Sequence, residues 1–489
     1  MKRAPKLYEK ELYSVWQNKV NDKKLSTLSG SDIQIIDIGE FNEDSSGPDF
    51  LNARIKIGNI TYVGDVEIDG EYNDWKHHGH NIDRKYNKVI LHVCFKNKYH
   101  QNYVYTKEGR KIPSLCLSDY LNEEEVQKIS KHFEEKLSEL SYKLKCVEQL
   151  NDLPHYQRKK IIMRLGVKRF EKKCLRMYSR LKELKYIKEL TIGEPTIGYD
   201  LSEEFQNRKF NPQDFNDKRL WQQLLYEFLF EALGYSKNKN AMLKLSRLVN
   251  FDFIDKLGHD GELKDRLHSA FYYIGGLVPD NLNGENKYET IIKDNWENIK
   301  RIYDGMVMDE TEWHFFKLRP QNFPTIRIAG GIELLYKILN EDFVPTLINK
   351  FTELRKPSIL IGVLRSMFIT KSFGYWQHHY VFCKKSSAPI KYYIGSSRAD
   401  EIMINVVLPF LSLYFEIFGK TELSKKVIQI FNSYSQRSTN KIVQDLAENL
   451  DMNSMTSKTV ITQGLIELFR NYCSKNKCLE CDFGQQVFN

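Results

Sequence analysis

The chain has 489 residues, 41% of them hydrophobic and 28% charged, which is the balance of a globular protein rather than a fibrous or disordered one. Its formal net charge of +9 is a mild basic bias that permits an anionic partner such as DNA or RNA and does not demand one. No apolar run reaches the roughly 18 residues a membrane helix needs, and the start, MKRAPKLYEKEL, lacks the apolar core of a secretory signal, so a cytoplasmic protein with no membrane partner is expected. Five of the eight cysteines (Cys94, Cys116, Cys146, Cys174 and Cys383) are scattered singly, as in a reducing compartment.

In chain order, residues 4–27 open with an amphipathic helix whose stripe is Leu7, Leu12, Val15 and Trp16. Ser31 to Ile38 reads as a strand, and a turn-rich stretch runs from Asn42 to Gly47. Ala53 to Ile57 and Thr61 to Ile68 alternate in polarity about Gly58-Asn59, a hairpin signal. Because side chains alternate across a strand, Asp65, Glu67 and Asp69 share one face. Val89 to Phe95 is a third strand, expected to show Ile90, His92 and Cys94 on one side and Val89, Leu91 and Val93 on the other. Between those strands lie Trp75, His77, His78, His80 and Asp83, and His100 follows. Tyr103 to Thr106 and Ile112 to Leu117 form another hairpin around Gly109. Residues 1–120 are thus expected to be an α+β domain with a small sheet.

From Asn122 the texture becomes helical, so residues 121–489 are expected to form a large all-α domain. Helices are expected over 122–150, 154–192, 221–233, 238–250, 262–276, 289–305, 331–341, 357–369, 401–418, 421–450 and 458–473. Irregular inserts are expected near 306–330 and 371–398. Two stretches there mix cations, amides and aromatics: Arg319-Pro-Gln-Asn322-Phe-Pro-Thr-Ile-Arg327, and Gly374-Tyr-Trp376-Gln-His-His379-Tyr380. Arginine forks grip phosphate and aromatic rings stack on bases, so Arg319, Asn322, Arg327, Trp376 and His379 are candidate nucleic-acid contacts. The competing expectation is a rigid connector between helices. Near the C-terminus Cys473, Cys478 and Cys481 have metal-ligand spacing for zinc or an iron–sulfur cluster, with a fourth ligand to come from elsewhere.

The dense acid and histidine stretch from Gly47 to Phe95 admits three readings. In the first, Pro48-Asp49 followed by Glu67-Ile68-Asp69 on a strand resembles the PD-(D/E)XK nuclease core. That resemblance implies a restriction-endonuclease-like fold in which Asp49 and Glu67 hold a divalent cation, Mg²⁺ or Mn²⁺. The cation would lower the pKa of a bound water and stabilise charge on a phosphodiester. The core's usual lysine is replaced here by Asp69, which either hands its role to Lys76, Lys88 or a histidine or marks a different chemistry. Asp69, His80 and His92 are then auxiliary ligands or proton carriers. In the second reading His77, His78, His80, Asp83 and His92 beside Glu67 hold Zn²⁺, Mn²⁺ or Fe²⁺ for hydrolysis, with His78-x-His80-x-x-Asp83 wrapping one ion. In the third the acids and histidines are structural, and the chain is a non-catalytic nucleic-acid- or protein-binding scaffold. Walker A, GxGxxG, HExxH and GxSxG motifs are all absent.

The chain as a whole resembles the uncharacterised bacterial proteins grouped as domain of unknown function 2851, common in Bacteroidetes. The resemblance rests on Gly47-Pro-Asp-Phe50, Gly64-Asp-Val-Glu-Ile68, Asp74-Trp-Lys-His-His-Gly-His80, Asp83, Tyr86, Val89-Ile-Leu-His-Val93, Arg319-Pro-Gln-Asn-Phe-Pro324, Tyr375-Trp376, His379-Tyr380 and the terminal cysteines. That family's pattern has a histidine at the position of Asp69, and the resemblance itself implies no activity.

Overall fold

A computed structural model describes residues 9–18, 24–42, 47–98, 101–122, 124–127, 144–148, 150, 153–189, 205, 208–280, 282, 286–315, 318–386, 388–436 and 441–488. The chain divides into two compact units, Met1–Ser141 with Trp313–Phe323, and Tyr142–Glu312 with Pro324–Asn489. The short return segment Trp313–Phe323 joins the first unit although it lies far down the chain, which the boundary at 120/121 does not anticipate.

In the first unit helix α1 (Glu9–Asn18) precedes eight strands: β1 Leu25–Ser26, β2 Asp32–Asp37, β3 Glu40–Phe41, β4 Phe50–Ile57, β5 Ile60–Glu71, β6 Val89–Lys96, β7 Tyr103–Tyr105 and β8 Lys111–Cys116. Their order is β1-β2-β4-β5-β6-β8-β7, with β3 on β4. The pairs β2–β4 and β4–β5 are antiparallel, the latter closed by Gly58-Asn59. β5, β6 and β8 run parallel. Parallel neighbours cannot be joined by a tight turn, so residues 72–88 cross over between β5 and β6. That crossover holds helix α2 (Asp74–His77) and two 3-10 turns, His80–Ile82 and Arg84–Lys88.

The alternation of the strands divides the core. Val66, Ile68, Leu91, Val93 and Leu115 pack with Leu12, Val15 and Trp16 of α1. Cys94, Cys116, Val104 and Ile112 face the other way, onto Tyr72, Trp75 and Tyr86 of the crossover. The register slips between Asp65 and Val66, which pair with Val89 and Leu91. That slip corrects the simple alternation: Ile90 joins the α1 side and Val89 the crossover side.

The second unit is largely helical: α3 His155–Glu189, α4 Lys218–Leu233, α5 Lys239–Leu248, α6 Phe251–Lys256, α7 Leu263–Ile274, α8 Lys287–Ile299, α9 Pro324–Asn340, α10 Phe343–Glu353, α11 Pro357–Met367, α12 Tyr375–His378, α13 Ser396–Ile402, α14 Leu408–Ile417, α15 Thr421–Ser433, α16 Lys441–Asn449, α17 Thr459–Asn471 and α18 Asp482–Phe488. α3 and α17 touch backbone to backbone, because a Cβ on Gly166 would lie 2.1 Å from the Val460 carbonyl and one on Gly464 2.0 Å from that of Ile162. α10 goes beyond the expected helices, and its Pro345 sits in the first turn, where a missing N–H costs nothing. The expected helix over 421–450 is two helices, and the intervening Ser435 bridges to Lys458. The unit is not purely α: β9 (Thr370–Lys371) pairs β12 (Tyr392–Ile394), and β10 (His379–Val381) pairs β11 (Lys384–Lys385). Most of the helix expected over 122–150 lies outside the described residues, as does His100.

Candidate functional site

β5 and β6 build the floor of the site. Glu67 pairs with His92 and Asp69 with Cys94 across the parallel ladder, so these side chains share the face that the crossover covers. The crossover lowers His78 and His80 onto that face. Trp75 packs against His80 and His92, its ring edge-on to them at 5.3 and 5.4 Å. Tyr86 lies 4.2 Å from the His80 ring, and its hydroxyl donates to the Gly47 carbonyl at 3.1 Å.

Asp69 is the hub. Its Oδ1 stands 3.2 Å from His78 Nδ1 and 3.5 Å from His80 Nε2, and its Oδ2 3.3 Å from His92 Nε2. His80 Nε2 is also 3.1 Å from Glu67 Oε1, and His92 Nδ1 is 3.0 Å from Ser114 Oγ on β8. One ligand atom each from Asp69, His78 and His80 falls within 4.8 Å of the other two. Asp69, His80 and His92 are wholly buried, and 23% of the His78 side chain is exposed, making it the open side.

Burial alone would push the Asp69 carboxyl up, but the charge of His80 and hydrogen bonds from His78, His80 and His92 outweigh it and hold the group well below the ordinary carboxylate range. Burial pushes His80 below its ordinary value against the pull of Asp69. At neutral pH the pair is therefore a carboxylate beside a neutral imidazole, the protonation state in which both donate lone pairs to a cation. Burial also pushes the Tyr86 phenol well up, and Glu67, Asp83, Asp49 and Asp69 add to the rise, so four carboxylates surround that ring.

Asp49 adjoins this cluster with its oxygens already engaged. Tyr13 donates its hydroxyl to Oδ1 at 2.6 Å, the Ile68 amide donates to Oδ2 at 3.0 Å, and the Asp49 amide donates to Glu67 Oε2 at 3.1 Å. Asp65 accepts the Asn52 amide at 3.1 Å, and Asp83 caps the following turn through the Lys85 amide at 3.0 Å. Tyr13 and Ser114 carry no motif that sequence reasoning could use; only the fold brings them here.

The remaining candidates separate. Arg319 is exposed and Asn322 half-buried, and both belong to the first unit, where Phe323 packs beside Gly79 of the histidine loop. Arg327, Trp376 and His379 lie in the interior of the second unit, which corrects their reading as a nucleic-acid surface. Arg327 donates to the Tyr393 carbonyl and to Tyr235 Oη, Trp376 Nε1 donates to Tyr288 Oη at 2.7 Å, and His379 stacks on Tyr375 at 3.9 Å. Their spacing expresses helix packing around two prolines. Cys473 and Cys478 are half-buried and Cys481 is buried, all three around one small cavity.

The second unit also holds a cleft of about 800 Å³ between α3, α4, α13 and α17. Seven cations and three carboxylates line it. Arg169 and Lys172 pair with Glu467, and Arg176 and Lys239 with Glu231. Lys173, Arg398 and Arg470 make no ion pair among the described residues; burial pushes Lys173 down to about 7, so Arg398 and Arg470 carry the surplus positive charge. No described helix is long and apolar enough to cross a membrane.

No curated protein and no solved structure matches the chain. The model of a family described as "Protein of unknown function (DUF2851)" matches residues 9–193 and 207–440, ending before the terminal cysteines. With most of its length inside that match, the chain belongs to the DUF2851 family.

Proposed function

We propose that the protein is a metal-dependent hydrolase of phosphodiester bonds, with a divalent cation held by Asp69, His78 and His80 beside Glu67. The observation that carries this reading is the convergence of Asp69, His78 and His80 ligand atoms to within 4.8 Å on the floor of a mixed sheet. Element order supports it. α1, the β2–β4–β5 meander, the crossover and parallel β6 follow the α-β-β-β-α-β sequence of PD-(D/E)XK nucleases. Asp49 stands at the head of the second meander strand and Glu67 on the third, as that core's acids do. Asp69 replaces the lysine, and the two crossover imidazoles turn an oxygen site into a mixed N/O site suited to Mn²⁺ or Zn²⁺ as well as Mg²⁺.

A cation there supplies an acidified water and charge stabilisation for the phosphate. The protein's own groups do the rest. Asp69 fixes His78 and His80, and His92, held by Ser114, stands 3.3 Å from Asp69 Oδ2 and steadies that carboxylate. Arg319 and Asn322 of the same unit suit an anionic substrate.

The test is cleavage of plasmid and single-stranded oligonucleotides with Mg²⁺, Mn²⁺ or Zn²⁺. Asp69→Asn and Glu67→Gln should each abolish cleavage; variants that cut at the wild-type rate would sink the proposal. A scaffold reading draws on the engagement of both Asp49 oxygens within the fold. It expects no cleavage by the wild type and a loss of stability, without a metal effect, in the same variants.

A further inference from the structure

We infer that Cys146, Cys473, Cys478 and Cys481 together form a tetrathiolate metal site in the helical unit. The inference is independent of the hydrolase reading, since none of these residues belongs to the first unit. The terminal Cys478-x-x-Cys481 pair with Cys473 supplies three sulfurs, one short of the four that a closed structural zinc site or a cubane iron–sulfur cluster takes. The fold supplies the missing one from more than three hundred residues upstream. Cys146 lies on a turn whose neighbour Leu144 is anchored by its amide to Asn449 Oδ1 at 2.9 Å. All four cysteines line one cavity of about 20 Å³, closed by the apolar side chains of Leu144, Leu468 and Phe483.

A cavity with so few polar neighbours would not hold a water well. No disulfide joins any of the four. Lys145 lines the same cavity, and Lys168 reaches Tyr472 on its wall at 2.9 Å. Both cations offset the negative charge that four thiolates leave on a zinc ion or a cluster. The site would staple the segment around Cys146 to the C-terminal turns, which otherwise hold few buried apolar groups.

The experiment is elemental analysis and the visible spectrum of the full chain purified in parallel with and without oxygen. About one zinc per chain in both preparations, or about four irons with acid-labile sulfide and a brown colour in the oxygen-free one, supports the site and identifies the metal. Metal-free protein from both preparations, taking up neither Zn²⁺ nor iron and sulfide on reconstitution, overturns it. Cys146→Ser should lose the metal as fully as Cys478→Ser, and Cys174→Ser should keep it. Full retention in Cys146→Ser would remove that residue from the site. Should a variant fail to fold, thiol titration of the native wild type decides: four thiols that react only once a chelator is added support the site, and no gain of reactive thiols with chelator refutes it.

Discussion

Replacing Asp69 by asparagine separates a cation site from a structural hydrogen-bond network. The change preserves shape and removes the charge facing His78, His80 and His92 at 3.2–3.5 Å. If the cluster is structural, the carboxylate anchors His80 and His92 in a dry interior and His78 at its open edge. Losing that acceptor costs about 1–3 kcal/mol for each buried imidazole group left unpaired, whatever ions are present. If the cluster is a cation site, the cation-free protein carries a buried carboxylate beside a neutral His80, and the loss in that state is smaller. Added cation then stabilises the wild type by RT ln(1 + [L]/Kd), about 2.7 kcal/mol at a hundredfold excess over Kd, and leaves Asp69→Asn unmoved. The assay is urea unfolding followed by tryptophan fluorescence, to which Trp16, Trp75 and Trp313 of the first unit contribute, with Mn²⁺ or with chelator. Mn²⁺ is chosen because thiolates bind it weakly. Equal Mn²⁺ stabilisation of both proteins, or none of the wild type, would refute the cation site.

Three further expectations test other parts of the structure. Gly79 sits between His78 and His80 at φ +84°, and a Cβ there would meet the Phe323 ring at 3.1 Å; Gly79→Ala should cost about 1–2 kcal/mol from the left-handed backbone alone and weaken Mn²⁺ binding by calorimetry, while Gly58→Ala, in open space at φ +59°, should spare the binding. Glu227 receives a two-pronged bond from Arg180 at 2.8 Å, with both groups buried. Glu227→Gln removes the buried charge facing that guanidinium and leaves it only the half-exposed Glu183 at 2.9 Å; it should cost about 3 kcal/mol in denaturant unfolding, whereas Glu422→Gln, at an exposed pair with Lys425, should leave the midpoint unchanged. Burial, with a smaller push from Lys264, holds His268 down at about 3 against 6.5; the unfolded chain takes up that proton first, so stability is full above about pH 6.5 and falls toward pH 3, by roughly 2 kcal/mol between pH 6.5 and 5. A His268→Gln variant with an undiminished slope over that range would contradict this.

The legible parts of the sequence were those with local causes. Gly58-Asn59 between alternating segments fixes a hairpin, and the alternation of Val66 and Ile68 with Glu67 and Asp69 assigns faces. Non-local pairings left no such mark. Nothing local says that β6 lies parallel to β5, and the slip at Asp65 reverses Val89 and Ile90 within an otherwise regular strand. Tyr13, Ser114 and Phe323 reach the site or its loop from separate stretches of chain. Arg327, Trp376 and His379 misled because buried cations and aromatics that satisfy carbonyls and hydroxyls have the composition of a nucleic-acid surface. Only burial separates the two cases.

The position of the cluster in the sheet has a topological cause. β5 has an antiparallel neighbour, β4, on one side and a parallel neighbour, β6, on the other. An antiparallel neighbour is reached by a short turn, but a parallel one requires the chain to travel back over a face of the sheet. In sheets with parallel strands such switches open a crevice near the strands' carboxyl ends, which is where ligands bind. Glu67 and Asp69 lie toward the carboxyl end of β5, and the returning chain is too short for a covering helix of ordinary length; α2 has only four residues. Its turns instead place Trp75, His78, His80 and Tyr86 directly over the two acids. A long helix would have sealed that face with aliphatic side chains. The short crossover leaves a polar, histidine-lined interior whose carboxylates need positive charge, and a bound cation meets that need more completely than three imidazoles, of which His80 is held neutral by its own burial.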